Sequence, residues 1–120
     1  MEYVGVAQAH LAWFALRAGN VEAATDQARA ALEGWRLTAT AYAMEWMARW
    51  PLVELALGRG AIGEAVGHAS SMLEETQQRL PDRHTAVLEA AVRAWRDDRH
   101  GLARDHLDVA VSLARGTGHL

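Results

Sequence analysis

The side chains that could do chemistry are six histidines, several carboxylates, two adjacent serines and five tryptophans. A zinc site on a helix needs histidines at i and i+4 and a further ligand. His100 and His106 are six apart and His84 stands alone, so surface or capping histidines are the better reading. Glu74-Glu75 and Asp97-Asp98 could be acid–base pairs, but neighbours on a helix point about 100 degrees apart and do not converge. They read as a solvated face. Ser70-Ser71 near His68 lacks the strand–turn–helix elbow of an activated serine. No catalytic residue is expected, nor any metal or cofactor.

The aromatic residues carry more information. Trp13, Trp35, Trp46, Trp50 and Trp95 are many for 120 residues. Tyr42, Trp46 and Trp50 fall at i, i+4 and i+8, one stripe of a helix. Such a stripe either packs against a neighbouring helix or lines a binding groove, since Trp and Tyr are common interface anchors.

Composition narrows the field. The chain has 51% hydrophobic residues, enough for a core. Net charge is −3, and the basic residues are arginines scattered along the chain, which argues against nucleic acid. Lysine is absent, excluding a Walker loop or a Schiff base here. Cysteine is absent, excluding thiol nucleophiles, zinc–cysteine sites and disulfides. No leader pattern is visible and no apolar run approaches the roughly 20 residues of a membrane span. A cytoplasmic location is expected, with no membrane partner.

Abundant alanine and two prolines favour helix throughout. The first helix is expected over about 3–18, with Val4, Ala7, Leu11, Phe14 and Ala18 as its apolar stripe. Gly19 ends it, and Asn20 caps a second helix carrying Val21, Ala24, Ala28, Ala31 and Leu32 inward. After a break at 34–37, Thr38 caps a third helix that ends near Leu57 and kinks at Pro51. Gly58-Arg59-Gly60 is the next turn. A fourth helix spans about 62–79. Asp82 caps the fifth, with Leu88, Ala91, Val92 and Trp95 inward. The turn at 97–101 leads to a sixth helix, about 102–114.

The pattern repeats. Val21, Ala24, Ala28 and Leu32 return 41 residues later as Ile62, Ala65, Ala69 and Leu73. A third copy, shifted by 40, has Leu102, Val109 and Leu113, with Asp105 at the small-residue position and His100 at the turn glycine. In the first helices Ala7, Ala48 and Leu88 align, as do Leu11, Leu52 and Val92, and Phe14, Leu55 and Trp95. That register gives Trp95 a core role. A period of this size points to stacked helical hairpins.

At Leu11-Ala12, Gly19-Asn20, Ala24 and Ala31-Leu32, and again at Leu52, Gly60, Ala65 and Leu73, the chain resembles a tetratricopeptide-type repeat protein. The resemblance implies an all-α fold: three antiparallel hairpins, about 3–34, 38–79 and 82–115, stacked as a right-handed superhelical array in one domain. The stretch from Trp50-Pro51-Leu52 to Gly60, with Gln77 to Pro81 and Ala114 to Leu120, is similar to the C-terminal repeats of bacterial multidomain regulators. Those carry a cyclase or DNA-binding output domain and a P-loop ATPase, so the chain is expected to be a piece of a longer one. The implied function is a non-catalytic protein–protein interaction scaffold in signalling; the rival is a sensor domain binding a small effector.

By the same resemblance the first helix of each hairpin lines the concave groove. Its lining is then Val6, Ala9, Trp13 and Arg17; Met47, Trp50 and Glu54; and Val87, Ala90, Ala94 and Asp98. Trp13, Arg17, Met47, Trp50 and Glu54 form the expected partner-binding groove, with Trp13 and Trp50 facing it together. The partner is a protein or peptide, another domain of the same chain, or a second copy in a homodimer.

Overall fold

The computed structural model describes residues 2–36 and 43–120, apart from the side chains of residues 2 and 3. Thr38 and Tyr42, an expected cap and one end of the aromatic stripe, lie outside the described residues. Six helices follow in order: α1 (Glu2–Arg17), α2 (Val21–Arg36), α3 (Trp46–Gly58), α4 (Ile62–Met72), α5 (Asp82–Arg96) and α6 (His100–Thr117), with no strand among the described residues. Each odd-numbered helix packs most closely on the helix after it, giving three antiparallel pairs. The second pair meets the first through α3, against α1 and α2. It meets the third differently, with α6 beside both α3 and α4, and α5 beside α4.

The turns inside the pairs share a backbone conformation. Gly19 and Gly60 both adopt left-handed conformations, with φ of 78° and 74°. The third such residue is Asp98, φ 59°, not His100. Asp tolerates this region better than most side chains, so no glycine was needed. In each turn an amide reaches back five residues: Asn20 to Ala15 O, Ala61 to Ala56 O and Arg99 to Ala94 O, at 2.8 Å each. Asn20 also caps α2 as expected, its Oδ1 accepting from the Ala23 amide at 3.2 Å.

The second shift is therefore 38 residues, from Gly60 to Asp98, and the third copy was read two residues out of place. In the corrected register Ala24, Ala65 and Ala103 coincide, as do Ala28, Ala69 and Leu107, all of them fully buried. The third pair thus has a small residue where close packing needs one, at Ala103, and Asp105 faces solvent. Leu102, Val109 and Val21, expected inward, are exposed. Among first helices the buried positions run Ala9, Trp50, Leu88 and Ala12, Val53, Ala91.

Other boundaries moved. Residues 43–45 form a turn, so α3 begins at Trp46 and continues unbroken through a buried Pro51. The fourth helix stops at Met72, seven residues early. Gln77 and Gln78 there bond to residues 43–46 instead of extending the helix. Leu80 swings into the core. Pro81, not Asp82, occupies the cap position of α5, and Asp82 instead pairs with Arg79 at 3.2 Å.

The largest departure is in α1. Its expected core stripe faces water: Val4, Leu11 and Phe14 are 58%, 52% and 62% exposed, and Ala7 and Ala18 are exposed too. The inward side is Gly5, Ala9 and Ala12. These small residues let α2 approach so closely that a methyl on Gly5 would overlap the buried Trp35 indole. Gly5→Ala is expected to lower stability by about 1–3 kcal/mol through overpacking. Gly67→Ala, in an exposed part of α4 with open space around it, is expected to raise it by roughly 0.5–1 kcal/mol. Urea denaturation of the two variants checks both signs.

Candidate functional site

The small inner face of α1 brings it beside α3 and leaves a cleft at one end of the pair. Ala9, His10, Trp13 and Phe14 supply one wall; Trp46 and Met47, at the start of α3, supply the other; Gly118 and His119 close one side. The cavity measures about 250 Å³. Trp13 and Phe14 meet edge to face at 5.1 Å, and the Arg17 guanidinium sits over the Trp13 ring, 4.7 Å from its centre. A cation in that position is attracted by the ring face and covers it. The Trp46 Nε1–H donates to Gln78 Oε1 at 3.0 Å, which aims its ring along the cleft.

The chain after α6 completes this wall. Gly118 turns left-handed at φ 81°, and the amides of His119 and Leu120 both return to Ala114 O. Leu120 is fully buried and its carbonyl accepts from Arg17 Nη2 at 2.7 Å, tying α1 to the end of α6. Thr117 Oγ1 lies 3.0 Å from His84 Nε2 and 2.7 Å from His119 Nδ1. The His119 ring also packs on Trp46 at 4.9 Å. Burial lowers the His119 pKa, and the neighbouring His84 lowers it further. His119 is therefore held neutral as a packing group rather than as a charge. Beneath it His84 is buried, its Nδ1 without a hydrogen-bond partner among the described residues.

A second polar cluster braces the other side of α3. Arg49 donates to Glu45 Oε1 through Nε and Nη2, at 2.9 and 2.7 Å, and through Nη1 to His68 Nδ1 at 2.9 Å. Gln77 reaches the same Glu45, accepting from its amide at 3.0 Å. Burial first, and the Arg49 charge second, push His68 down to about 4. Glu64 opposes that shift, while Arg29 and Arg59 add to it. A neutral Nδ1 can accept from Arg49, whereas a protonated one cannot.

Of the five groove residues expected from the sequence, Trp13 and Met47 come together on the cleft. Arg17 is adjacent but committed to Trp13 and Leu120. Trp50 is corrected: it is fully buried, among Val53, Leu88 and Leu107, at the position that Ala9 holds in the first pair. Glu54 is corrected as well, for it turns to α6 and pairs with Arg115. Ala94 is buried, and Asp98 is the left-handed residue of the third turn. Trp46, expected either in packing or in a groove, lies on the cleft, whereas Phe14, His10 and the 118–119 segment join it without having been expected there. Trp46 was signalled by its place in the aromatic stripe; the returning tail had no signal beyond glycines 116 and 118. Comparison with known proteins gives no match to any family model, curated protein or solved structure.

The His68 cluster makes the fold sensitive to acid. The folded state holds His68 at about 4, below its ordinary 6.5. Its contribution is therefore whole above pH 6.5 and declines as the pH falls from there to about 4, when the unfolded chain binds the extra proton. The slope from one such group is at most about 1.4 kcal/mol per pH unit. His119, shifted the same way, adds to it. His68→Gln is expected to flatten the fall in urea midpoint between pH 6.5 and 4.5. Equal slopes in the variant and the parent would contradict the assignment.

Proposed function

We propose that the chain is a non-catalytic interaction module built of tetratricopeptide-like hairpins, and that the α1–α3 cleft receives an apolar side chain of a protein or peptide partner. The observation that carries this is the lining: Trp13, Phe14, Trp46 and Met47 are gathered at the surface around one cavity. Aromatic rings and Met are enriched at the centres of interfaces, where they act as rigid or adaptable anchors. Among the described residues no carboxylate lines this cavity; Glu45, Glu54 and Glu64 pair with arginines instead.

Size separates this reading from a small-effector sensor. Sites for drug-sized ligands usually enclose about 300–1,000 Å³. A cavity of about 250 Å³ that is open on one side matches one large side chain better than a whole ligand. The irregular meeting of the second and third pairs also matters. A uniform superhelix would continue a groove along successive first helices, but here α6 occupies the space beside α3. The module we propose therefore offers a short cleft at the first two pairs. A place in a bacterial signalling regulator is part of the same reading, and rests on the repeat resemblance alone.

Peptide selection tests it. A random 12-residue library displayed on phage and selected on the immobilised chain is expected to enrich sequences sharing one bulky apolar residue. Truncating an interface anchor typically costs about 2 kcal/mol, roughly thirtyfold in affinity. Trp13→Ala and Met47→Ala should weaken the selected peptides by that order. Arg93→Ala, exposed on α5, should leave them unchanged. Peptides that bind the cleft variants as tightly as the parent would refute the site.

A further inference from the structure

One side of the cleft is closed by the segment after α6 rather than by a helix. Gly118 leaves α6 through its left-handed turn, and Leu120 is buried with its carbonyl bonded to Arg17 of α1. Between them, His119 packs on the Trp46 ring of α3 at 4.9 Å and lies 5.1 Å from the buried His84 ring of α5. Thr117 joins the two imidazoles. Its Oγ1 has four neighbours: the Leu113 and Ala114 carbonyl oxygens at 3.0 and 3.3 Å, His84 Nε2 at 3.0 Å and His119 Nδ1 at 2.7 Å. The arrangement that satisfies all four has the hydroxyl donating to the carbonyls and both rings donating to its oxygen. Each neutral ring then spends its single hydrogen on Thr117.

A further proton on His119 would make a cation in basic surroundings. On α1, His10 lines the same cavity and Arg17 holds the next carbonyl. On α5 the neighbour is His84. On α3, Trp46 and Met47 carry no charge, and Glu45 just before them is held by Arg49 and Gln77. On α6, Arg115 turns to Glu54. The Trp46 ring would attract the cation, but burial first and His84 second hold the His119 pKa below its ordinary value. We propose that residues 118–120 are an acid-weakened strap: when His119 binds a proton, the segment lifts from Trp46 about Gly118 and opens that side of the cleft. Neutral His119 favours the closed strap. The hold is therefore whole above pH 6.5 and weakens as the pH falls from there toward the lowered pKa, by up to about tenfold per pH unit. Loosening is a property of this chain alone; only its effect on a bound peptide rests on the proposed cleft function.

NMR on the whole labelled chain tests it without any partner. Ring-carbon shifts of the parent are expected to give His119 a pKa below 6.5. Amide hydrogen exchange, corrected for its intrinsic pH dependence, reads the strap itself, since the His119 and Leu120 amides both bond to Ala114 O. In the parent, protection at Leu120 should lie below that of Leu107 in the core, because the strap opens locally. It should fall at least threefold between pH 7.5 and 5.0. His119→Phe keeps a ring beside Trp46 but takes no proton, so its fall should be absent or much smaller. In the parent, a His119 pKa at or above 6.5, a fall of less than threefold, or Leu120 protection equal to that of Leu107 would overturn the proposal. An equal fall in His119→Phe would overturn it too.

Discussion

The structure depends on helices approaching each other over alanine. Ala12, Ala24, Ala28, Ala31, Ala48, Ala56, Ala65, Ala69, Ala91, Ala103, Ala110 and Ala114 are all completely buried. An interior of this kind gains little transfer free energy per residue, because each methyl group removes little area from water. It gains instead from many dispersion contacts between close backbones, at little cost in side-chain entropy. Larger groups enter where three or more helices meet, as Trp50, Leu88, Leu107 and Leu120 do. Elsewhere there is no space for them, and the clash waiting at Gly5 shows how little is left.

That limit explains α1. Its inner side must be small to seat α2, so its large apolar residues are displaced to the cleft and to the outer face. A helix apolar on nearly every side is usually buried on every side. In this molecule α2 and α3 cover part of α1, and the tail from Gly118 to Leu120 covers a little more through Arg17. The aromatic cleft and the exposed apolar stripe of α1 are thus two results of one packing rule. The polar clusters serve the same geometry. Arg49, Glu45 and Gln77 hold the 73–81 segment against the start of α3, which fixes Trp46 at the cleft wall.

Much of the architecture was legible because its signals are local. Gly19 and Gly60 mark left-handed turns, Asn20 marks a cap, and the alanines of α2 and α4 mark buried faces at helical spacing. Where the signal depended on counting, it failed. The third turn uses Asp98 where glycine is usual, and placing His100 at that position carried the register two residues too far. Trp50 illustrates a different failure. Its position is equivalent to Ala9, and nothing in residue type tells that one pair fills this position with a methyl group and the next with an indole. The outward stripe of α1 was misread for a plain reason: periodicity reveals that a helix has an apolar face, but not which of two apolar faces its neighbours take. The small face won because α2 must come close, a tertiary demand that no stretch of α1 records.

The central claim is that α1 turns its small residues inward and its large ones to the surface. Leu11 and Ala12 are adjacent, one 52% exposed and the other wholly buried. The parent lacks cysteine, so Leu11→Cys and Ala12→Cys each carry one thiol. The direct measurement is their rate of reaction with an aromatic disulfide under native conditions, at low micromolar protein. The account predicts that Leu11→Cys reacts nearly as fast as an unfolded chain and that Ala12→Cys is protected at least a hundredfold. Protection of Leu11→Cys with rapid labelling of Ala12→Cys would show α1 docked by its large face, and would contradict it.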